Sequence, residues 1–366
     1  MLPIRRRNHP NVSLPTLLVL RHSSELGGMG RAAEFFTPVL RSRCQVVAVL
    51  SLSADRSGNC FEASWLAKAS ATVMSLGRCV YVLVTRSPDA IYLPISQWGL
   101  PLFRDLILVM LARMLGCAPV LHLHGAQLPF RLTANRMLRR MLGRSHWIVL
   151  SEAVAAELEA SGCHTRSVTV VRNPIPQSVV SRRTPSPTQV LRVGWLGTMC
   201  RAKGFDVLCD AVDQLKSSGV GLEFSVAGLR LDVPASHMAC VDEDLGVLPP
   251  ANVSSFWSRI DVFVLPARWV EGLPFVLLEG LQAGCVVAAT HSPGCAELFD
   301  QGCVEPVDSS VGSVTGFLKE CVADLEGIRR RQQKLWAELR PLYEADRVKE
   351  SFARFLQDVW VSDTRP

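Results

Sequence analysis

None of the twelve cysteines stands in a C-x-x-C pair, and no Cys/His cluster has zinc-ligand spacing. A zinc site of that kind is therefore not expected. Many cysteines lie inside apolar runs, among them Cys209, Cys285 and Cys321. They read as buried free thiols of a reducing compartment rather than as an exported disulfide framework. Nor is there an uninterrupted apolar run of about 18 residues, the length a membrane-spanning helix needs. The best candidate, Leu100 to Leu115, is broken by Arg104, Asp105 and Arg113. Arg5, Arg6 and Arg7 resemble the basic start of a signal peptide, but the apolar run that follows, Leu17 to Leu20, is too short for one. Short internal repeats and low-complexity tracts are also absent. These readings lead to the expectation of a cytoplasmic chain.

What is present is ordinary globular material. The 366 residues are 48% hydrophobic and 20% charged, which suggests two domains. A net charge of +6 is modest for this length. It does not call for nucleic acid and suits an anionic substrate or membrane surface. Short β-rich runs alternate with helical patterns, the mark of a parallel sheet covered on both faces. Strands are expected at Thr16–Leu20, Val46–Leu50, Ala90–Leu93, Pro119–His124, Trp147–Leu150 and Val168–Val171. Helices are expected at Gly30–Leu40, Leu102–Leu115 and Leu132–Leu142, with Leu76–Thr85 open between helix and strand. Pro174 to Gln189 holds four prolines and no hydrophobic period, and reads as a linker. Alternation then resumes, with strands at Leu191–Leu196, Glu223–Ala227, Val262–Leu265 and Val286–Ala289 and helices at Phe205–Lys216 and near Asn252–Trp257. The expected units are residues 1–180, residues 181–343 and a closing amphipathic helix over 344–366, packing back towards the first unit. Two such α/β domains joined by a linker make two lobes facing across a cleft, a usual place for a ligand.

The most informative stretch runs from Glu271 through Gly272, Leu273, Pro274 and Phe275 to Glu279 and on to Gly284. Pro274 marks a helix start and Gly284 its end. The helix between them is apolar except for Glu279, and a buried carboxylate needs partners. A pair of ribose hydroxyls would supply them. Glu271 falls at the carboxyl end of a strand, where open α/β sheets bind ligands. The N–H groups around Leu273 and Phe275 form a helix N-terminus, which favours phosphate. Lys203 and Gly204 close a loop that starts at Gly197 and includes Thr198 and Arg201.

This segment resembles the E-x7-E signature of family 4 retaining glycosyltransferases, with matching flanks over about Leu191 to Leu298. The resemblance implies the GT-B fold, two doubly wound Rossmann-like domains, and transfer of a sugar from a nucleotide-sugar donor with retained configuration. It implies that Glu279 holds the donor ribose, Glu271 the transferred sugar and Lys203 the pyrophosphate. The family's usual arginine is Thr198 here, and Arg201 is the candidate to replace it. The resemblance also implies that the Gly27-Gly28 turn approaches the donor phosphates or the acceptor, that His124 faces the sugar, and that backbone at Gly246-Val247 meets the base. Ser225–Gly228, Ser292–Glu297, which carries Pro293-Gly294 in place of a Gly-Gly, and Asn173-Pro174 match further family positions. No metal or other cofactor is expected. Asp242-Glu-Asp244 has the D-x-D form of a metal motif but reads as a solvated acidic turn. His122 and His124, two apart on a strand, face the same way without a third ligand nearby.

Phe130 to Arg144 carries five arginines and no acid, with Met137, Leu138, Met141 and Leu142 at helical spacing. It reads as a basic amphipathic helix, either a solvated outer face or a site of loose attachment to an anionic inner membrane surface. The expected substrate on the receiving side is a glycan or lipid-linked acceptor, as in cell-surface polysaccharide or glycoconjugate biosynthesis. Three alternatives stand beside this reading. They are a nucleotide-sugar epimerase on the same fold, a nicotinamide-dependent oxidoreductase suggested by Gly28-x-Gly30-x-x-Ala33, and a non-catalytic GT-B-like nucleotide-binding protein.

Overall fold

The computed structural model describes residues 14–21, 27–52, 65–176 and 190–363. The basic triplet at Arg5–Arg7, most of the proline-rich linker and the expected boundary at residue 180 lie outside them. The chain divides into two compact units. One ends at Val171 and is completed by the chain from Lys349; the other is Arg172–Val348.

Six parallel strands build the first unit: β1 (Thr16–Arg21), β2 (Gln45–Ser51), β3 (Ala90–Pro94), β4 (Ala118–His122), β5 (His146–Val149) and β6 (Ser167–Val170), in the order β2-β1-β3-β4-β5-β6. The second unit repeats the plan with β7 (Leu191–Leu196), β8 (Leu222–Ala227), β9 (Glu243–Asp244), β10 (Val262–Leu265), β11 (Val286–Ala289) and β12 (Glu305–Pro306), in the order β12-β11-β10-β7-β8-β9. Every strand pairing is parallel. Both units are therefore Rossmann-like, doubly wound sheets. In each, the strand order reverses once, between β1 and β3 and between β7 and β10. Open α/β sheets bind ligands at such points.

Continuous apolar strands follow from burial on both faces. All five residues of β3 and of β4 are buried, as are all four of β10 and β11. The ambiguous Leu76–Thr85 lies within a helix, Trp65–Arg86. The helix Phe205–Ser217 buries Phe205, Leu208, Val212 and Leu215 on one face, as its spacing requires. The closing helix, Ala345–Asp363, sends Phe352 against Phe36 and Tyr92 of the first unit, with ring centroids 4.8 and 6.1 Å apart. Eleven cysteines are described, and all are buried and free. Among the described residues no helix is long and apolar enough to cross a membrane.

Three expectations change. The basic segment 130–144 is not one helix but two short ones, Leu128–Ala134 and Arg136–Leu142. Asn135 separates them, because its side chain accepts from the N–H groups of Met137 and Leu138 and so starts a new helix. β4 stops at His122, so His124 lies just beyond the strand. Asp242–Asp244 is not a free acidic turn: Glu243–Asp244 forms an edge strand beside β8. Asp242 pairs with Lys216, Glu243 with Arg259 and Asp244 with Arg230.

The helix Gly99–Met114 buries a charged pair, Arg104 and Asp105. Asp105 is fully buried, accepts from the Ser96 amide at 2.8 Å and from Arg104 Nη2 at 2.7 Å. Arg104 also donates to the Leu52 carbonyl at 2.7 Å, tying the ends of β2 and β3 to one helix. Replacing Asp105 with alanine leaves a buried guanidinium unpaired. The expected loss is about 3–5 kcal/mol of unfolding free energy, read by urea denaturation. A loss within the error of the measurement would show that water reaches Arg104.

Candidate functional site

In the second unit the singled-out loops fall at the carboxyl ends of the strands, and Glu279 lies in the helix that follows one of them. Gly197 to Lys203 follow β7, Gly228 follows β8, Gly246-Val247 follow β9, Glu271 to Pro274 follow β10, and Ser292 to Glu297 follow β11. Such convergence requires close backbone contacts, and glycine permits them. Gly204 is left-handed (φ +76°), and a Cβ there would stand 1.9 Å from the Pro266 carbonyl oxygen. A Cβ on Gly294 would stand 2.2 Å from the Gly272 oxygen, so the glycine of Pro293-Gly294 is the one the packing needs.

Lys203 and Glu271 meet across the point where β7 and β10 part. Lys203 Nζ is 3.7 Å from Glu271 Oε1, and Trp269 Nε1 donates to the same oxygen at 2.6 Å. Beside them, three successive carbonyls are held from below. Ser292 Oγ donates to the Glu271 oxygen, Cys295 Sγ to the Gly272 oxygen at 3.0 Å and Asn173 Nδ2 to the Leu273 oxygen at 2.7 Å. Burial, then the charge of Glu271, pushes the Cys295 thiol well up, so it stays protonated and able to donate. In a planar trans peptide the N–H points opposite the preceding carbonyl. The amides of Gly272 and Leu273 therefore face away from these anchors, and they have no acceptor among the described residues. The helix Phe275–Ala283 begins directly after them, adding its own unpaired N–H groups. Pro274 is the residue just before the helix (φ −63°, ψ 129°), not its first turn, and Gly284 closes it in the left-handed region (φ +84°).

Glu279, fully buried in that helix, accepts from Trp257 Nε1 at 3.1 Å. The indole is one partner that the sequence did not point to. Val247 is 46% exposed, behind the left-handed Gly246 (φ +61°) whose carbonyl accepts from Gly228 N at 2.7 Å. Arg201 is largely exposed, with Nε 3.7 Å from Asp206 Oδ2. Asp206 is gripped more closely by Arg268, through Oδ1 at 2.6 Å and Oδ2 at 3.0 Å. Burial raises the Asp206 pKa, but the Arg268 hydrogen bond, the Arg268 charge and the amides of Val207 and Asp206 together outweigh it and hold the carboxyl below its ordinary value. Arg268 also donates to the Arg201 carbonyl at 2.6 Å, which clamps the Lys203 loop to the Glu271 loop. Sequence reasoning missed Arg268; its only signal is its place in the loop after β10. Glu297 takes a structural part: Arg172 holds both its oxygens, at 2.7 and 2.6 Å, and Tyr343 donates to it at 3.1 Å.

In the first unit, Gly27 precedes the helix Gly28–Arg43, which starts with Gly28 at the β1–β3 reversal. His124 is half-buried and stacks on His122, centroids 4.0 Å apart. Gln97, also unforeseen, accepts from the Gln127 amide at 2.7 Å. Gly125 lies against it so closely that a Cβ would stand 1.8 Å from Gln97 Nε2. This braces the loop that carries His124. His122 is a core residue, fully buried and 2.6 Å from the Tyr92 hydroxyl through Nδ1.

Residues 190–324 match the family model described as Glycosyl transferases group 1. A colanic acid biosynthesis glycosyltransferase of Salmonella typhimurium, WcaL, is 26% identical over 166 residues, 42% of this chain and 41% of the relative. The amylovoran biosynthesis glycosyltransferase AmsK of Erwinia amylovora is 27% identical over 158 residues, 39% of each. The chain thus spans about two fifths of the length of these relatives. Among solved structures, Anabaena HepE in complex with UDP and glucose superposes with a TM-score of 0.67 at 16% identity, covering 94% of this chain and 99% of that one. Sucrose-phosphate synthase of Thermosynechococcus elongatus does so with 0.72 at 11% identity, covering 95% and 100%. The fold is that of the GT-B glycosyltransferases.

Burial, and then the neighbouring His124, holds the His122 imidazole well below the usual histidine pKa of 6.5. The folded protein keeps it neutral where the unfolded chain takes up a proton. Stability is therefore full above about pH 6.5 and falls as the pH drops towards the folded value, by up to about 1.4 kcal/mol per pH unit. Urea unfolding across that range should show a smaller slope in His122→Gln than in the native chain. Equal slopes would mean that His122 takes up its proton without unfolding.

Proposed function

We propose that the protein transfers a sugar from a nucleotide-sugar donor to a glycan or lipid-linked acceptor, with retained anomeric configuration, in polysaccharide biosynthesis. The observation that carries this reading is the grouping of Lys203, Glu271 and the unpaired Gly272 and Leu273 amides before the helix Phe275–Ala283. A cation, two free N–H groups and a helix N-terminus together offer a diphosphate what it needs.

In this reading Lys203 and these amides, with Pro274 fixing the helix start, stabilise the leaving nucleoside diphosphate, so no metal is required. Glu279 accepts from the ribose hydroxyls while Trp257 holds its other side. Gly246 and Val247 border the base, and Arg201 is a further cation near the phosphates. Glu271 orients the sugar, and Lys203 and Trp269 keep its carboxylate in place. In the first unit, His124 contacts the sugar, and the Gly27-Gly28 turn lets backbone approach donor or acceptor. The basic segment 130–144 attaches the protein to an anionic membrane surface. The names of the polysaccharide relatives support the acceptor class, and the UDP-bound neighbours support UDP as the nucleotide of the donor.

Calorimetric titration with UDP, GDP and ADP tests the donor site. One diphosphate should bind, and Glu279→Ala should weaken it about 10- to 100-fold, the value of one or two hydrogen bonds to a charged group. Absence of any diphosphate binding would sink the reading. Proton NMR of the product then reports the anomeric configuration. Conversion of the sugar nucleotide without any acceptor would instead mark an epimerase.

A further inference from the structure

A concavity of the first unit, about 590 Å³, is lined among the described residues by five arginines and one histidine and by no carboxylate. Its residues come from the ends of three elements. Arg113 closes the helix before β4, Arg136, Arg139, Arg140 and Arg144 belong to the short helix and turn before β5, and His164 precedes β6. All three therefore lie at the amino ends of parallel strands. His124 lies beyond the carboxyl end of β4, so about 16 Å of sheet separates the two at the usual rise per residue. The concavity is no part of the proposed donor or acceptor site.

An ordinary solvated basic face splays its arginines outward. Here two are tied down and form a floor. Arg113 donates to the carbonyls of Met141, at 2.6 Å, and Gly143, and to Ser145 Oγ at 2.8 Å. Arg139 donates to the Leu132 and Thr133 carbonyls, each at 2.7 Å. Arg136, Arg140 and Arg144 have no ion-pair partner among the described residues. Arg144 is held in the left-handed region (φ +53°), uncommon for a residue with a side chain, and its amide donates to the His164 carbonyl at 2.5 Å. Positive charge is concentrated without compensation. Burial, followed by the charges of Arg166 and Arg144, lowers the Arg113 pKa. A bound anion relieves that repulsion, and guanidinium forks match phosphate oxygens in pairs.

We propose that this concavity is a binding site for a phosphate-bearing anion, a phosphomonoester or diphosphate group, on the sheet edge opposite His124. Met114 and Met137, 79% and 67% exposed, stand next in sequence to Arg113 and Arg136. They fit the acyl border of a lipid headgroup; a soluble phosphate compound would use the same arginines without them.

Phenylglyoxal modification, followed arginine by arginine with mass spectrometry, tests the site directly. Inorganic pyrophosphate should slow modification of Arg136, Arg140 and Arg144 several-fold relative to potassium chloride of equal ionic strength. Arg41 and Arg86, exposed on other helices of the unit, should react unchanged. Sedimentation with phosphatidylcholine vesicles carrying phosphatidate, or phosphatidylglycerol at equal charge, identifies the source. Preference for phosphatidate, lost in the double variant Arg140→Gln, Arg144→Gln, assigns the site to a lipid phosphomonoester. Pyrophosphate protection without vesicle binding assigns it to a soluble phosphate. No protection, together with vesicle binding that is absent or unaffected by the double variant, overturns the proposal. None of these readouts involves Glu279 or Lys203, so the donor site stands or falls separately.

Discussion

Three consecutive carbonyls, those of Glu271, Gly272 and Leu273, are fastened by side chains from distant parts of the second unit. Much of the candidate site follows from that fastening. A loop between strand and helix would ordinarily satisfy its own polar groups or turn them to water. Here Ser292, Cys295 and Asn173 take the acceptors, and peptide planarity turns the donors the other way. The Gly294–Gly272 contact lets the anchoring loop come close enough to do this. The result is a rigid set of N–H groups ahead of a helix, with Lys203 and Glu271 alongside. Rigidity matters because preorganised dipoles stabilise developing charge without reorganising.

The same unit separates charges that support from charges left available. Glu297 is spent on Arg172 and Tyr343, and Asp206 on Arg268. Arg268 links the two loops at the β7–β10 reversal, so the spacing of Lys203 and Glu271 is set by a third residue that touches both loops. In the first unit, Arg104 and Asp105 use a buried pair to tie strand ends to a helix. The arginines around Arg144 are the contrary case, a group of like charges with no acid among them.

Periodicity and punctuation made most elements legible. Leu191–Leu196, Val262–Leu265 and Val286–Ala289 lie where their apolar runs placed them. Parallel strands buried on both faces leave little else for such runs to be. Edges were less readable: β9 is two acidic residues long and looks like a loop, because an edge strand needs no apolar face. The break at Asn135 was also hidden, since helical spacing continues across it and only the cap geometry divides it.

From the residues alone came the two-unit α/β plan, the buried thiols, the placing of Glu271, Lys203 and His124 near strand ends and that of Glu279 inside an apolar helix. These depend on local pattern, which a chain carries in its order. The partners of those residues depended on folding. Trp257 beside Glu279, Arg268 across two loops, Gln97 beneath Gly125 and the arginine concavity each join segments that no spacing rule relates. Distances between such segments are set by packing of the sheets and helices. A residue's neighbours across a fold leave no mark on the order of its own neighbours in the chain.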